Sequence, residues 1–235
     1  MLAVMRFVIT GANRGIGLEL VRQLLSRGDA VEAGVRDPER ARDLLQLGKS
    51  PRGASLLRVH RLDVASDESA RSFAQAIGDR PVDVLVNNAG ILGKMQSLEE
   101  LDLEDVVETF RVDALGALAV TRALLPSMRK SDVRKLVHIS TGMASISDNT
   151  SGGAYGYRMA KAALNIASKS LAVNLRGERF ISVVMNPGWV QTEMGGAGAP
   201  TPVHDSVAGI LRVVDKLTLD QSGSFLDYRG GTIAW

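Results

Sequence analysis

Tyr157 and Lys161 lie four residues apart in the stretch 157–175, where Ala163, Ile166, Ala167, Ser170 and Leu171 recur at helical spacing. That periodicity predicts an amphipathic helix with the phenol and the ammonium one turn apart on one face. An ammonium this close favours the phenolate, so the pairing predicts a tyrosine pKa below its ordinary value of about 10 and a group able to give or take a proton. A solvated Tyr and Lys that share a helix face by chance are the plain alternative. His138 and Ser140 offer a second chemistry, since they share one face of the apolar run 136–140 in the manner of a hydrolase pair. No Gly-x-Ser-x-Gly elbow accompanies them, and a hydrogen-bonded strand histidine is the simpler reading.

Tyr157 needs a reaction partner, and the N-terminal end of the chain supplies a place to hold one. Phe7-Val8-Ile9-Thr10 is a short apolar run that stops at Gly11, and from Ile16 the positions Ile16, Leu20, Val21, Leu24 and Leu25 follow a helical period. Glycines at 11, 15 and 17 in the intervening turn let a phosphate approach backbone N–H groups at the positive end of the helix. A tight strand-to-helix turn without a ligand is the alternative. The second strand, 31–35, ends at Arg36, where a dinucleotide-binding fold reads the adenine ribose: an arginine there accepts a 2′-phosphate, and a carboxylate would bind a 2′-hydroxyl. Asp37 comes one place late for that carboxylate and keeps NAD possible, and Pro38 suits the first turn of a following helix.

Further elements alternate in the same way. A strand at 56–61 leads to a helix that Ser66 caps and that runs to about Ile77, and a strand follows at 82–86. One long helix is expected from about Leu103 to Met128, then strands at 136–140 and 181–185, a helix over 203–216, and a last short strand in the tail from Gly223. Strand–helix alternation with right-handed crossovers gives an α/β fold, a Rossmann-type doubly wound parallel sheet, expected as a single domain over residues 1–235.

Thr10-Gly11-Ala12-Asn13-Arg14-Gly15-Ile16-Gly17, Asn87-Asn88-Ala89-Gly90, the Tyr157/Lys161 pair and Asn186-Pro187-Gly188-Trp189-Val190-Gln191-Thr192 occur in this order. Together they resemble the short-chain dehydrogenase/reductase family. The tail, the segment 148–153 and Met194-Gly195-Gly196 resemble its C-factor-like branch, which includes proteins linked to intercellular developmental signalling. The resemblance implies an NAD(P)-dependent interconversion of a carbonyl and an alcohol, with Tyr157 as acid/base and Lys161 on the nicotinamide ribose. It implies cofactor contacts from Gly11, Asn13, Arg14, Gly15, Ile16 and Gly17, and from Asp63 and Val64 at the adenine. Asn88, Ala89 and Gly90 would pass under the adenine ribose, with the Asn amides tying neighbouring strands. Pro187, Gly188, Val190 and Thr192 would cover the nicotinamide, Thr192 binding its carboxamide. Arg14 together with Arg36 implies NADP(H), with NAD(H) possible.

Two positions depart from the family pattern. Asp113 stands where an Asn is usual, and an ionised carboxylate there would offset the charge of Lys161. Thr141 stands where a Ser steadies the substrate oxygen. It keeps a hydroxyl donor, and the longer spacing to Tyr157 makes Ser140 and Ser145 reserve candidates. The short Gly-, Ala- and Pro-rich segment 193–202 implies a small lid over an open site bordered by Met143, Trp189 and Met194, unless those three are core side chains.

The remaining composition excludes more than it adds. With no cysteine and three histidines, none spaced as a metal pair, thiolate catalysis and disulfides are out and no metal site is expected. A net charge of +2 argues against nucleic acid as a partner, and no run reaches a membrane span, so a cytoplasmic chain is expected. The resemblance implies a homodimer or homotetramer built on the helices near Leu103 and Tyr157. Two other readings stay open: a cofactor-binding signalling protein with weak or no turnover, and an ester hydrolase using Ser140 or Thr141.

Overall fold

A computed structural model describes residues 4–235. Seven strands, β1 (Arg6–Thr10), β2 (Ala30–Val35), β3 (Leu57–Arg61), β4 (Val84–Asn87), β5 (Lys135–Ile139), β6 (Ile181–Asn186) and β7 (Phe225–Asp227), form one sheet. Its order is β3-β2-β1-β4-β5-β6-β7 and every pairing is parallel. The strand order reverses between β1 and β4. In open α/β sheets that reversal opens a crevice at the carboxyl ends, where ligands sit.

Side-chain alternation along the strands builds a core on each face. From β1, Phe7 and Ile9 pack with Leu20, Leu24, Ile210 and Val214, which come from α1 (Gly15–Arg27) and α8 (Val203–Lys216). Val8 points the other way, to Leu85, Leu136, Phe73 and Leu124, the last two from α4 (Asp67–Ile77) and α6 (Gly116–Met128). α7 (Tyr155–Asn174) lies on this second face and packs against α5 (Leu103–Phe110). Ser66 caps α4 as expected, its hydroxyl accepting the Ser69 N–H at 3.2 Å. β2 carries a charge inward: Glu32 is buried but meets His60 at 2.7 Å and Arg80 at 2.9 Å. Burial alone would raise its pKa, and the hydrogen bonds from His60 and Arg80 more than reverse that.

Three local expectations change. The single helix over 103–128 is interrupted by a π turn, Arg111–Leu115, between α5 and α6. A π turn inserts one residue and rotates the downstream helix by about 100°. Here it turns Asp113 and Ala114 inward, both buried, while Leu115 faces out. Pro38 opens only a three-residue 3-10 turn, Pro38–Arg40, and the chain reaches β3 through two short helices, α2 (Arg42–Gly48) and α3 (Pro51–Leu56). α7 begins two residues before Tyr157, after Ala154 in the left-handed conformation at φ 50°. Tyr157 therefore sits inside the first turn, where no acidic residue stands.

Candidate active site

The turn from β1 into α1 is shaped by contact. Gly11 has φ 64°, and a Cβ there would come within 2.9 Å of the Ala89 Cα. A Cβ on Gly17 would meet the Gly11 carbonyl oxygen at 2.3 Å and the Asn88 Nδ2 at 2.6 Å. Asn88 closes the turn by donating to the Thr10 and Gly11 carbonyl oxygens at 2.9 and 3.2 Å, and Thr10 Oγ1 accepts the N–H groups of Asn88 and Ala89, each at 3.0 Å. The ends of β1 and β4 are thus sewn together as the motif predicts. No side chain caps the first N–H groups of α1, and no acidic residue occupies its first turn. Uncapped donors under a bare glycine turn suit the diphosphate of a dinucleotide.

Other expected contacts gather at the same edge. Thr192 stands over the turn, its methyl 3.3 Å from where a Gly15 Cβ would be. Its hydroxyl is locally engaged, accepting the Gly195 N–H at 3.0 Å and donating to the Val190 carbonyl at 3.4 Å, so carboxamide binding would need that hydroxyl to turn away. Gly188 has φ 83° and turns the chain after Pro187, whose carbonyl accepts from Ser206 at 2.7 Å. Arg36 is exposed at the end of β2 and makes no ion pair among the described residues. Arg14, its expected companion, instead pairs with Glu193 of the lid. Asp63 is exposed, with its carboxylate turned to the Ala65 N–H, and Val64 is buried against Gly116 of α6.

Three elements converge behind Tyr157. Lys161 is 4% exposed; its Nζ donates to the Ile139 carbonyl at 3.2 Å and lies 5.9 Å from the Tyr157 ring centroid. Asp113, 1% exposed, faces that ammonium at 3.2 Å and accepts the Ile91 N–H at 2.8 Å. Burial pushes the Tyr157 phenol above its ordinary value of 10.0, with Lys161 pulling it down and Asp113 adding to the rise. The expectation of an acidified tyrosine is corrected: the phenol is half-buried in a site where a carboxylate cancels part of the lysine's charge. Lys161 is pulled down by burial but held above its usual value by Asp113 and Tyr157. Burial also lifts the Asp113 carboxyl, against Lys161 and the Ile91 N–H.

Thr141 keeps its hydroxyl hydrogen free, whereas Ser140 has spent its own and Ser145 is buried. The Thr141 hydroxyl oxygen accepts the Met143 N–H at 3.2 Å, and its hydrogen is left for a substrate oxygen. Ser140 is buried and donates to Asn165 Oδ1 at 2.8 Å; Ser145 is buried and accepts the Asp148 N–H at 3.1 Å. The hydrolase pair is also dissolved, because His138 bonds not to Ser140 but to Asn87 at 3.2 Å and Ser182 at 3.4 Å. Asn87 donates to its Nδ1, so a neutral ring carries its proton on Nε2. Burial lowers the His138 pKa from 6.5 to about 4. The unfolded chain therefore binds a proton at His138 that the folded chain refuses. This contribution to stability is complete above pH 6.5 and is lost as pH falls toward 4, by about 3 kcal/mol. Denaturant melts from pH 7 to 4 should give His138→Gln a shallower acid slope than the wild type.

Trp189 and Met194 are exposed, which removes the core reading for both. The lid carries no helix and is pinned by Trp189 Nε1 donating to the Gly195 carbonyl at 2.8 Å and by the buried Ala199. One positioning residue is not marked by any sequence motif. Arg158 donates to the Met143 carbonyl at 2.7 Å and to Ser151 Oγ at 2.8 Å, tying the turn after Thr141 to the helix of Tyr157. Its place beside Tyr157 is visible in the sequence, but the partner of its guanidinium is not.

The comparisons with known proteins agree with this geometry. The family model described as short chain dehydrogenase matches residues 6–201. The C-signal of Myxococcus xanthus is 48% identical over 165 residues, covering 70% of this chain and 99% of that one. Among solved structures, the carbonyl reductase Sniffer of D. melanogaster superposes with a TM-score of 0.94 at 31% identity over 99% of this chain and 100% of that chain. The NADPH-bound carbonyl reductase from chicken fatty liver gives 0.93 at 32% identity, covering 100% of both chains. The chain belongs to the short chain dehydrogenase family, a class of NAD(P)-dependent oxidoreductases acting on CH–OH and carbonyl groups. The match to C-signal agrees with the resemblance of its tail and loops to the C-factor-like branch.

Proposed function

We propose that the protein, as one domain over residues 1–235, is an NADP-dependent carbonyl reductase and alcohol dehydrogenase of small molecules. The convergence of Tyr157, Lys161 and a free Thr141 hydroxyl beside an uncapped glycine turn carries this reading. A bound nicotinamide would supply or accept the hydride. Tyr157 gives its proton to the substrate oxygen, Thr141 donates a hydrogen bond to that oxygen, and buried Lys161 binds the ribose and keeps the phenol in reach. Asp113 holds Lys161 from behind. Gly11, Asn13, Arg14, Gly15, Ile16 and Gly17 bind the diphosphate end, and Asn88, Ala89 and Gly90 support the ribose. The exposed Trp189 and Met194 favour a shallow site for an apolar carbonyl compound.

NADP preference rests on Arg36, whose guanidinium has no carboxylate to compete with a 2′-phosphate. Arg36→Ala should weaken NADPH binding about tenfold or more and leave NADH binding nearly unchanged, as read by fluorescence titration of each nucleotide. Equal loss for both would contradict the assignment. The row Leu103, Val107 and Phe110 on α5, with Met159, Ile166 and Val173 on α7, leaves apolar side chains exposed and supports a homo-oligomer through these two helices.

A signalling role is the second reading, favoured by the 48% identity to C-signal. NADPH oxidation followed against a panel of aldehydes and ketones separates the two. Turnover supports the enzyme; tight NADPH binding with no turnover across the panel supports the signal.

A further inference from the structure

The Asp113 carboxylate is built into the site as a counter-charge. The π turn Arg111–Leu115 points it inward, the Ile91 N–H donates to Oδ1 at 2.8 Å, and Oδ2 lies 3.2 Å from Lys161 Nζ. Gly90 makes the room: a Cβ there would stand 3.1 Å from Nζ and 3.2 Å from each carboxylate oxygen. Oδ1 accepts the Ile91 N–H, while Oδ2 lies near the Lys161 ammonium without a hydrogen bond of its own and without an acceptor to which a carboxylic proton could be given. The ammonium at 3.2 Å and the Ile91 N–H both favour the carboxylate form, against the burial that lifts it. The other titratable groups near the phenol are Lys161, on its own helix, and His138 of β5 behind the lysine, which is fully buried and neutral. Tyr157 consequently faces a lysine–aspartate dipole and not a bare ammonium.

We propose that Asp113 is a positioning residue whose carboxylate neutralises Lys161 and so holds the Tyr157 phenol to a more alkaline titration than a bare ammonium would, setting the pH range over which the site oxidises alcohols. This rests on the hydride-transfer reading above. In the reductive direction a reduced nicotinamide gives its hydride to the carbonyl carbon and the Tyr157 O–H proton passes to the carbonyl oxygen, leaving an alcohol, an oxidised nicotinamide and a phenolate that regains its proton from solvent. The oxidative direction needs the phenolate first, so its rate rises only as Tyr157 deprotonates. No residue alters the overall equilibrium, so the ratio of the two kcat/KM values at a given pH stays fixed, and Asp113 sets only the pH range in which the pair of reactions runs.

Two measurements test the role of Asp113. Ultraviolet titration of tyrosinate in cofactor-free protein, taken as the difference from Tyr157→Phe, isolates the Tyr157 phenol. Asp113→Asn, which keeps the shape and drops the charge, should move that titration down by about one pH unit. Asp113→Ser, which removes the carboxylate differently, should move it the same way. The alkaline-rising limb of kcat/KM for alcohol oxidation should fall by the same amount in both variants, with the reaction equilibrium constant unchanged. A titration that stays put, or moves up, in both variants overturns the proposal. Turnover absent from the wild type overturns the hydride-transfer reading, whereas an unmoved tyrosinate titration overturns the role of Asp113 alone.

Discussion

Tyr157→Phe should reduce turnover by about a hundredfold to ten-thousandfold while NADPH binds as before. The substitution removes one oxygen from a ring whose position is set by α7 and by packing, so the fold and the cleft remain. Loss of the proton donor leaves the substrate oxygen to develop charge with only the Thr141 hydroxyl beside it. Lys161 cannot substitute, since its ammonium is buried and directed to the Ile139 carbonyl and to Asp113. Steady-state kinetics with NADPH and the best carbonyl substrate, together with a nucleotide titration of the same variant, make the check. Retained turnover would show that another group delivers the proton.

Gly17→Ala carries the second large effect, and it acts on the cofactor. A methyl at that position would lie 2.3 Å from the Gly11 carbonyl oxygen and 2.6 Å from Asn88 Nδ2, two atoms that are already hydrogen-bonded to each other at 3.2 Å. Neither can yield alone: the carbonyl belongs to the turn, and the amide also donates to the Thr10 carbonyl oxygen at 2.9 Å. Relieving the clash opens the seam between β1 and β4 and spoils the donor array at the start of α1. NADPH affinity should fall about tenfold to a hundredfold, with about 1–3 kcal/mol of stability lost. Gly28→Ala is the control. Gly28 also has a positive φ, 89°, but a Cβ there meets nothing within 4 Å, and it lies at the far end of α1. It should cost stability and leave nucleotide affinity alone.

The features legible in the sequence are those set by local physics. Glycines at 11, 15 and 17 mark a turn because contact there excludes side chains, and the apolar runs of β1, β4, β5 and β6 mark strands because both faces of a parallel sheet are buried. Tyr157 and Lys161 follow from helical period. The π turn leaves no trace in the hydrophobic pattern, for Val112 and Ala114 continue an acceptable helix and only tertiary packing decides that one extra residue is accommodated. Asp113 is recognisable as a departure, but its ion pair depends on that turn. The partnership of Arg14 with Glu193 joins residues 179 positions apart, and nothing in either neighbourhood announces it. The sign of the Tyr157 shift is hidden from the sequence for a related reason: the helix supplies the lysine, while burial and the opposing carboxylate come from elsewhere in the fold.

The central claim is that this site transfers a hydride. The direct measurement uses NADPH deuterated at the transferable position of its nicotinamide, with the wild-type protein and a panel of carbonyl compounds, and reads the products by mass spectrometry. The account predicts deuterium on the carbinol carbon of at least one alcohol product and at most about a hundredth as much with Tyr157→Phe in the same time. Tight NADPH binding with no deuterium in any product would contradict it.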